Sequence, residues 1–194
     1  MDHPTFIVAS ASPRRRELLS RAGFGFAVEP SDADESLPEG CAPEDAVRLL
    51  AERKARSVSA LHPGIAVLGC DTIVALDGQM LGKPKTEDEA ASMLRTLSGN
   101  THTVFTGVCV TNGTHSESFV SATDVTFYPL KDETIRAYVA TGEPMDKAGA
   151  YGIQGMGSLL VKGFSGDYFT VVGLPLAQCA RLLARFGIQG AVRL

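Results

Sequence analysis

Ser10-Ala11-Ser12-Pro13-Arg14-Arg15 joins a short β-branched run to a helical pattern, and it brings two hydroxyls and two guanidiniums to a helix N-terminus. Free backbone N–H groups and the positive end of the helix dipole favour an anion at such a junction. Arginine suits the task because its planar fork donates paired hydrogen bonds to phosphate oxygens and stays charged at any relevant pH. The bland account is a solvated basic turn. Three consecutive arginines, Arg14 to Arg16, oppose the dipole at roughly 0.3 to 1 kcal/mol each, however, and a bound anion would offset that cost.

Asp71 is an ionisable group inside Val67-Leu68-Gly69-Cys70-Asp71-Thr72-Ile73-Val74, a run that is otherwise apolar or small. A carboxylate in such a place is costly unless paired, hydrogen-bonded or metal-bound. It either caps local backbone or serves at a strand end as metal ligand or general base. Its companion is Glu35 or Asp34, in the acidic loop Asp32-Ala33-Asp34-Glu35, which read alone is plain solvated surface. Carboxylates are the hard oxygen ligands that magnesium or manganese takes beside a substrate phosphate. Lys54 shares a helix face with Val47, Leu50, Val58 and Leu61, so it is either a snorkelling stem or an ammonium aimed into a polar cleft. Lys83 follows the Asp77-Gly78 turn signal in a loop. Together these residues suggest metal-assisted attack of water on a phosphate ester or anhydride.

Other chemistries lack their residues. There is no Walker A sequence and no G-x-S-x-G elbow, and Gly152-x-x-Gly155-x-Gly157 has the wrong order for a dinucleotide fingerprint. His3, His62, His102 and His115 show no ligand spacing, and Cys41, Cys70, Cys109 and Cys179 contain no C-x-x-C pair. Reduced thiols and a cytoplasmic location are expected. The N-terminal apolar run is too short for a signal h-region and precedes its positive charges. No segment approaches the roughly 20 apolar residues of a membrane span.

The elements that must hold these groups read as follows. Thr5 to Ala9 is a strand, and a helix follows from Pro13 to Gly23 with Ser12 as N-cap. A strand at Phe26 to Glu29 leads through a polar loop to a long helix, Pro43 to Leu61. Ile65 to Leu68 is a buried parallel strand and Thr72 to Leu76 continues extended. Thr86-Glu87-Asp88-Glu89 is a capping box opening a helix. Two β-rich segments flank Asn112-Gly113, a hairpin signal. A helix near Asp132 to Ala140, a Gly-rich stretch from Gly142 to Gly157, a hairpin-like pair around Ser165-Gly166 and a helix from Leu176 to Phe186 complete the chain. The expected class is mixed α/β.

With 194 residues, 44% of them hydrophobic, the chain can build a sizeable core in one domain, or in a two-lobed one with a central cleft. Eighteen Lys plus Arg against 22 Asp plus Glu give a formal net charge of −4. No basic field therefore spreads over the surface, which excludes polymeric nucleic acid as a partner.

The chain resembles the Maf family of nucleoside triphosphate pyrophosphatases almost end to end. The resemblance runs through Ala9 to Arg15, Glu52-Arg53-Lys54-Ala55, Gly69 to Val74, Leu81-Gly82-Lys83-Pro84, Leu97-Ser98-Gly99, Asp146 to Gly155 (DKAGAYGIQG) and Val171-Val172-Gly173-Leu174-Pro175. It implies a single Maf-like domain over residues 1–194. Its fold would be a mixed central β-sheet flanked by helices in an elongated, two-lobed body with a deep cleft, similar to the inosine triphosphate pyrophosphatases. The implied reaction is hydrolysis between the α and β phosphates with a divalent cation, magnesium or manganese. Asp71 matches the family's proton acceptor. Ser10, Arg14, Arg15, Lys54 and Lys83 match phosphate-handling positions, and Glu35 falls where an acidic residue assists the metal or the attacking water, so Asp71 and Glu35 are the expected metal ligands. DKAGAYGIQG looks like the dTTP/UTP-hydrolysing type, in which positions matching Arg14, Thr72 and Gln154 are linked to base selection. The alternatives are a 7-methyl-GTP pyrophosphatase and a nucleotide-sensing cell-division regulator with little catalysis. The expected partner is a small nucleoside triphosphate, with no membrane and with a homodimer left open. Ala11 and Asp167 depart from the family's common glycine and serine.

Overall fold

A computed structural model describes residues 5–194; Met1 to Pro4, including His3 and the start of the N-terminal run, lie outside the described residues. The elements in chain order are β1 (Phe6–Val8), α1 (Pro13–Arg21), β2 (Phe26–Val28), α2 (Pro43–Ser59), β3 (Val67–Leu76), β4 (Gln79–Leu81) and α3 (Glu87–Leu97). After them come β5 (Thr101–Thr111), β6 (Ser116–Phe127), α4 (Asp132–Val139), β7 (Val161–Ser165), α5 (Tyr168–Val172) and α6 (Leu176–Arg185). Three short 3₁₀ turns fill the Gly-rich stretch between α4 and β7.

The seven strands form one mixed sheet in the order β2-β1-β3-β5-β6-β7, with β4 also on β3. β1 is parallel to both β2 and β3, whereas β3–β4 and β6–β7 are antiparallel. The expected mixed α/β class with a helix-flanked central sheet is the one observed. Two compact units share the chain: residues 5–71, Thr106–Ser121 and Gly173–Leu194 make the first, and Thr72–Phe105 with Ala122–Val172 the second. The chain passes between them within β3, β5 and β6.

In the first unit, α2 lies on the sheet through small residues. Ala51 and Ala55 cluster with Cys109 of β5, while Val58 packs with Ile7, Ala9 and Val67. Two glycines permit this approach. A Cβ on Gly69 of β3 would strike the Ala51 carbonyl oxygen and come within 2.6 Å of the Ala55 nitrogen, and one on Gly107 of β5 would strike the Val47 carbonyl. A glycine inside a strand marks this kind of close backbone contact. At the far end of the same strand, Asp77 and Gly78 both take positive φ, 50° and 80°, as a two-residue turn into β4 requires.

In the second unit, His102, Phe127 and Tyr151 stack edge to face with centroids 4.8 to 5.3 Å apart. Thr86 caps α3 by accepting from the Glu89 N–H at 3.1 Å, and the Glu89 carboxylate accepts from the Lys85 N–H at 2.7 Å, one residue earlier than the reciprocal bond of a capping box.

Three local expectations change, and a fourth, the hairpin at Asn112-Gly113, holds with its loop now given a length. β3 runs unbroken from Val67, with no gap before Thr72, and Ile65 precedes it, 43% exposed. α2 ends at Ser59, so Leu61, 69% exposed, is not on its buried face. Asn112-Gly113 belongs to a four-residue turn, because the Asn112 side chain accepts from the Thr114 and His115 N–H groups and Asn112 N bonds His115 O. Beyond Gly166 the chain forms α5 and not a second strand. The Asp167 carboxylate accepts from the Phe169 N–H at 3.1 Å and from the Thr170 hydroxyl at 3.2 Å, which turns a β-prone run into a helix.

Candidate active site

β1 pairs Ile7 with Val67 and Val8 with Leu68 in parallel, and Ala9 N bonds Leu68 O at 2.8 Å. Ser10 therefore emerges from the carboxyl end of β1 beside the stretch of β3 that carries Cys70 and Asp71. Sites in open α/β sheets form at the carboxyl ends of parallel strands, where the following helix also points its N-terminus. Here that helix is α1. Pro13 opens it, and Ser12 caps it by accepting from the Arg15 N–H at 3.5 Å.

Arg15 is anchored by groups far apart in sequence. Its Nε donates to the Gly173 carbonyl at 2.8 Å and its Nη1 to Ser10 Oγ at 2.9 Å. The Cys70 thiol donates to the same carbonyl at 3.3 Å, and burial pushes that thiol's pKa up, keeping it protonated. Gly173, whose carbonyl receives both donors, takes a φ of 112°, a backbone conformation that favours glycine. Ser10, 7% exposed, also accepts from the Ser12 N–H at 3.3 Å. An oxygen that accepts two hydrogen bonds has only its O–H left to give, so Ser10 is set to donate to an anion. Arg14 is half-buried on the same turn, and Arg16 is exposed.

The second cluster is a carboxylate–ammonium–carboxylate bridge. Lys54 Nζ stands 2.6 Å from Asp71 Oδ1 and 2.7 Å from Glu35 Oε1. Both Lys54 and Asp71 keep only 15% of side-chain exposure, and Glu35 is 67% exposed. Burial is the largest influence on Lys54 and pulls its pKa down, but Asp71 and Glu35 outweigh it and hold the ammonium above its ordinary value. The close seating of α2 at Gly69 accounts for this reach, since Lys54 precedes Ala55 and Asp71 lies two residues beyond Gly69.

Of the two acidic candidates in the loop, Glu35 is the one that meets Lys54. Asp34 is turned to its own backbone, accepting from the Ser36 N–H at 2.9 Å and from the Ser36 hydroxyl, and these bonds hold its pKa low. Arg53, which sequence reasoning missed, brackets Glu35 by donating to the Asp34 carbonyl at 3.1 Å and the Ser36 carbonyl at 2.5 Å. Gly173 and Gly69 were missed as well. A glycine within the apolar run of β3 was a usable signal for Gly69.

Thr72, half-buried, follows Asp71 in β3 and belongs to the second unit. In that unit Lys83 is exposed between β4 and α3, and Gln154 is exposed in the Gly-rich stretch. These two segments are stitched by the Gly149 N–H, which donates to the Gly82 carbonyl at 3.1 Å.

Asp71 and Glu35 are oxygen donors of the kind magnesium or manganese takes, and in this structure the Lys54 ammonium supplies the positive charge between them. Among the described residues no group of three His, Cys, Asp or Glu could hold a metal. An ion held by this pair would therefore take its remaining ligands from water and phosphate, the usual habit of magnesium.

A helix N-terminus with donors for an anion, at the carboxyl end of β1, stands beside a lysine-bridged carboxylate pair whose Asp71 lies in the middle of β3 and not at a strand end as expected, and this places the molecule among α/β proteins with a candidate site at that sheet edge. The chain belongs to the Maf-like protein family, whose profile matches residues 5–186. It is 51% identical over 182 residues to the dTTP/UTP pyrophosphatase of Bacillus pumilus (strain SAFR-032), covering 94% of this chain and 96% of the relative. Over 185 residues it is 54% identical to the dTTP/UTP pyrophosphatase of Moorella thermoacetica (strain ATCC 39073 / JCM 9320), covering 94% and 95%.

Proposed function

We propose that this chain, as one Maf-like domain over residues 1–194, hydrolyses dTTP and UTP between the α and β phosphates to a nucleoside monophosphate and pyrophosphate. The observation that carries the reading is the Lys54 bridge between Asp71 and Glu35, next to the Ser10 and Arg15 anion site. The dTTP/UTP pyrophosphatase name of the relatives supports it over nearly their full length.

The nucleoside triphosphate is kinetically stable because its charge repels nucleophiles, so the protein must neutralise that charge and aim a water. Ser10 donates its O–H to a phosphate oxygen, and Arg14, Arg15 and Lys83 add positive charge and directed donors. Asp71 takes the proton of the attacking water, and Lys54 fixes the direction of that carboxylate. Glu35 assists the water or the cation. A divalent ion held by Asp71 and Glu35 would neutralise developing phosphate charge. Thr72, Arg14 and Gln154 select the base: the Gln154 amide donates to a carbonyl and accepts from an N–H, as a thymine or uracil edge asks. A cytoplasmic location is part of the reading, supported by the four unpaired cysteines. Among the described residues no helix is long and apolar enough to cross a membrane.

The deciding experiment is pyrophosphate release from a full nucleotide panel, including 7-methyl-GTP, with magnesium or manganese, alongside light scattering to read monomer or homodimer. dTTP and UTP should lead. A lead by 7-methyl-GTP would move the enzyme to the other subfamily, and tight binding without any release would make the protein a nucleotide sensor.

A further inference from the structure

Gln154 is an exposed residue of a glycine-rich loop in which the buried side chain of Ile153 anchors one point only. The residues from Gly152 to Gly157 include three glycines and form no strand or α-helix, so an amide on that loop would sample many directions unless something pins the backbone. The pin is Glu143, which lies in the first 3₁₀ turn after α4. Its Oε2 accepts from the Met156 N–H at 2.9 Å, and its Oε1 accepts from the Gly157 N–H at 3.0 Å and from the Tyr138 hydroxyl at 2.8 Å. The Tyr138 oxygen in turn accepts from the Gly152 N–H at 3.1 Å. Both ends of the loop are thus tied to one carboxylate, directly at 156 and 157 and through Tyr138 at 152.

Two further observations show that the clasp is built and not incidental. A Cβ on Gly155 would overlap the Glu143 carboxylate, 2.6 Å from its Cδ, and a Cβ on Gly157 would stand 2.6 Å from the Tyr138 hydroxyl. The glycines therefore make room for the carboxylate. Burial works to raise the Glu143 pKa, but the Gly157 and Met156 N–H groups, Tyr138 and Lys147 outweigh it and hold the group below its usual value. An ionised carboxylate is what three donors on two oxygens require.

We propose that Glu143 is the positioning residue for Gln154 and, by fixing its loop, sets the enzyme's discrimination between bases. The proposal rests on the reading of Gln154 as the base-selecting amide. An amide reads a donor–acceptor pair in either order by flipping, so selection requires that its backbone approach the base from one fixed direction.

The test compares Glu143→Gln, Gln154→Ala, the double variant and Tyr138→Phe, reading the ratio of kcat/KM for dTTP to that for dCTP and dGTP. Glu143→Gln keeps the volume but replaces one acceptor oxygen with a donor that faces an N–H. It should lower the ratio by about tenfold, as loss of one directed hydrogen bond does. Gln154→Ala should match it, the double variant should fall no further, and the Met156 and Gly157 amides should exchange faster in Glu143→Gln. Tyr138→Phe, which keeps the ring, should move the ratio the same way by less, and it carries the test if Glu143→Gln does not fold. A role confined to stability would lower activity on every nucleotide alike and leave the ratio unmoved, which overturns the proposal. If Gln154→Ala loses discrimination while Glu143→Gln and Tyr138→Phe keep it, positioning by Glu143 is wrong and base reading by Gln154 stands. If Gln154→Ala keeps the ratio, base reading falls and the proposal with it. Additive losses in the double variant would show that Glu143 acts by another route and overturn it as well.

Discussion

Lys54 Nζ lies 2.6 Å from Asp71 Oδ1, an ion pair between a helix and a strand in which each side chain is 85% withdrawn from solvent. Lys54→Gln would leave Asp71 half-sheltered without its ammonium, a loss that costs more than an exposed pair would. The folded lysine pKa is raised, so the stability this pair supplies is fully present below the ordinary lysine value and is lost as pH rises through the higher folded one. Pyrophosphate release should therefore show no limb from Lys54 up to about pH 10.4, the ordinary lysine pKa. A fall centred near pH 8 that vanishes in Lys54→Gln would contradict this.

Asp71→Asn keeps the shape of the side chain and removes the proton acceptor we propose. Release of pyrophosphate from dTTP should drop by about 10² to 10⁴, the usual contribution of a positioned base. The circular dichroism spectrum should stay that of the parent. An activity loss below tenfold would assign the base elsewhere.

Arg53 holds the carbonyls on both sides of Glu35, so Arg53→Ala should loosen the acidic loop without unfolding α2. Stability should fall by about 1 to 2 kcal/mol, the cost of two directed hydrogen bonds lost from a half-buried side chain. The magnesium concentration for half-maximal rate should rise about tenfold, the cost seen when partners that orient metal ligands are removed. An unchanged magnesium dependence would separate the loop from the cation.

Gly69→Ala places a methyl group against the backbone of α2, where neither partner can rotate away. It should destabilise the protein by about 3 kcal/mol or prevent folding, by the mechanism of an overpacked core. The urea midpoint measures it. A shift worth less than about 0.5 kcal/mol would mean that α2 does not sit on β3 as described.

His102, 1% exposed, bonds Tyr151 at 2.8 Å through Nε2, and its Nδ1 has no partner. Burial lowers its pKa to about 4. As pH falls from 6.5 towards that value the unfolded chain takes up a proton that the folded chain refuses, so stability declines by about 1.4 kcal/mol per pH unit, about 3 kcal/mol in all. Urea unfolding at pH 7, 6, 5 and 4 should show a shallower decline in His102→Leu than in the parent. Parallel curves would show that burial does not lower the His102 pKa in the fold.

Much of the site is legible in the chain because the physics that builds it is local. A serine cap, a proline at the first helical position and arginines in the first turn specify a capped helix start and a candidate anion site within six residues. The Asp77-Gly78 turn and the Thr86 cap are likewise short-range devices, and the phase of Lys54 follows from helical periodicity. Tertiary structure decided which partners these groups meet. Arg15 is anchored by a carbonyl 158 positions away, a contact that no local pattern encodes. Glu35 and Asp34 are adjacent and chemically alike, and only the bracket of Arg53 and the reach of Lys54 separate them. Tyr168 to Val172 is β-prone by residue type, yet Asp167 and the surroundings of Thr123 hold it helical. Glu143 carries no sequence signature, because two of its three donors are backbone N–H groups and backbone is the same at every residue. Side-chain types and near neighbours thus determined the chemistry available to this protein; the return of distant segments decided its geometry.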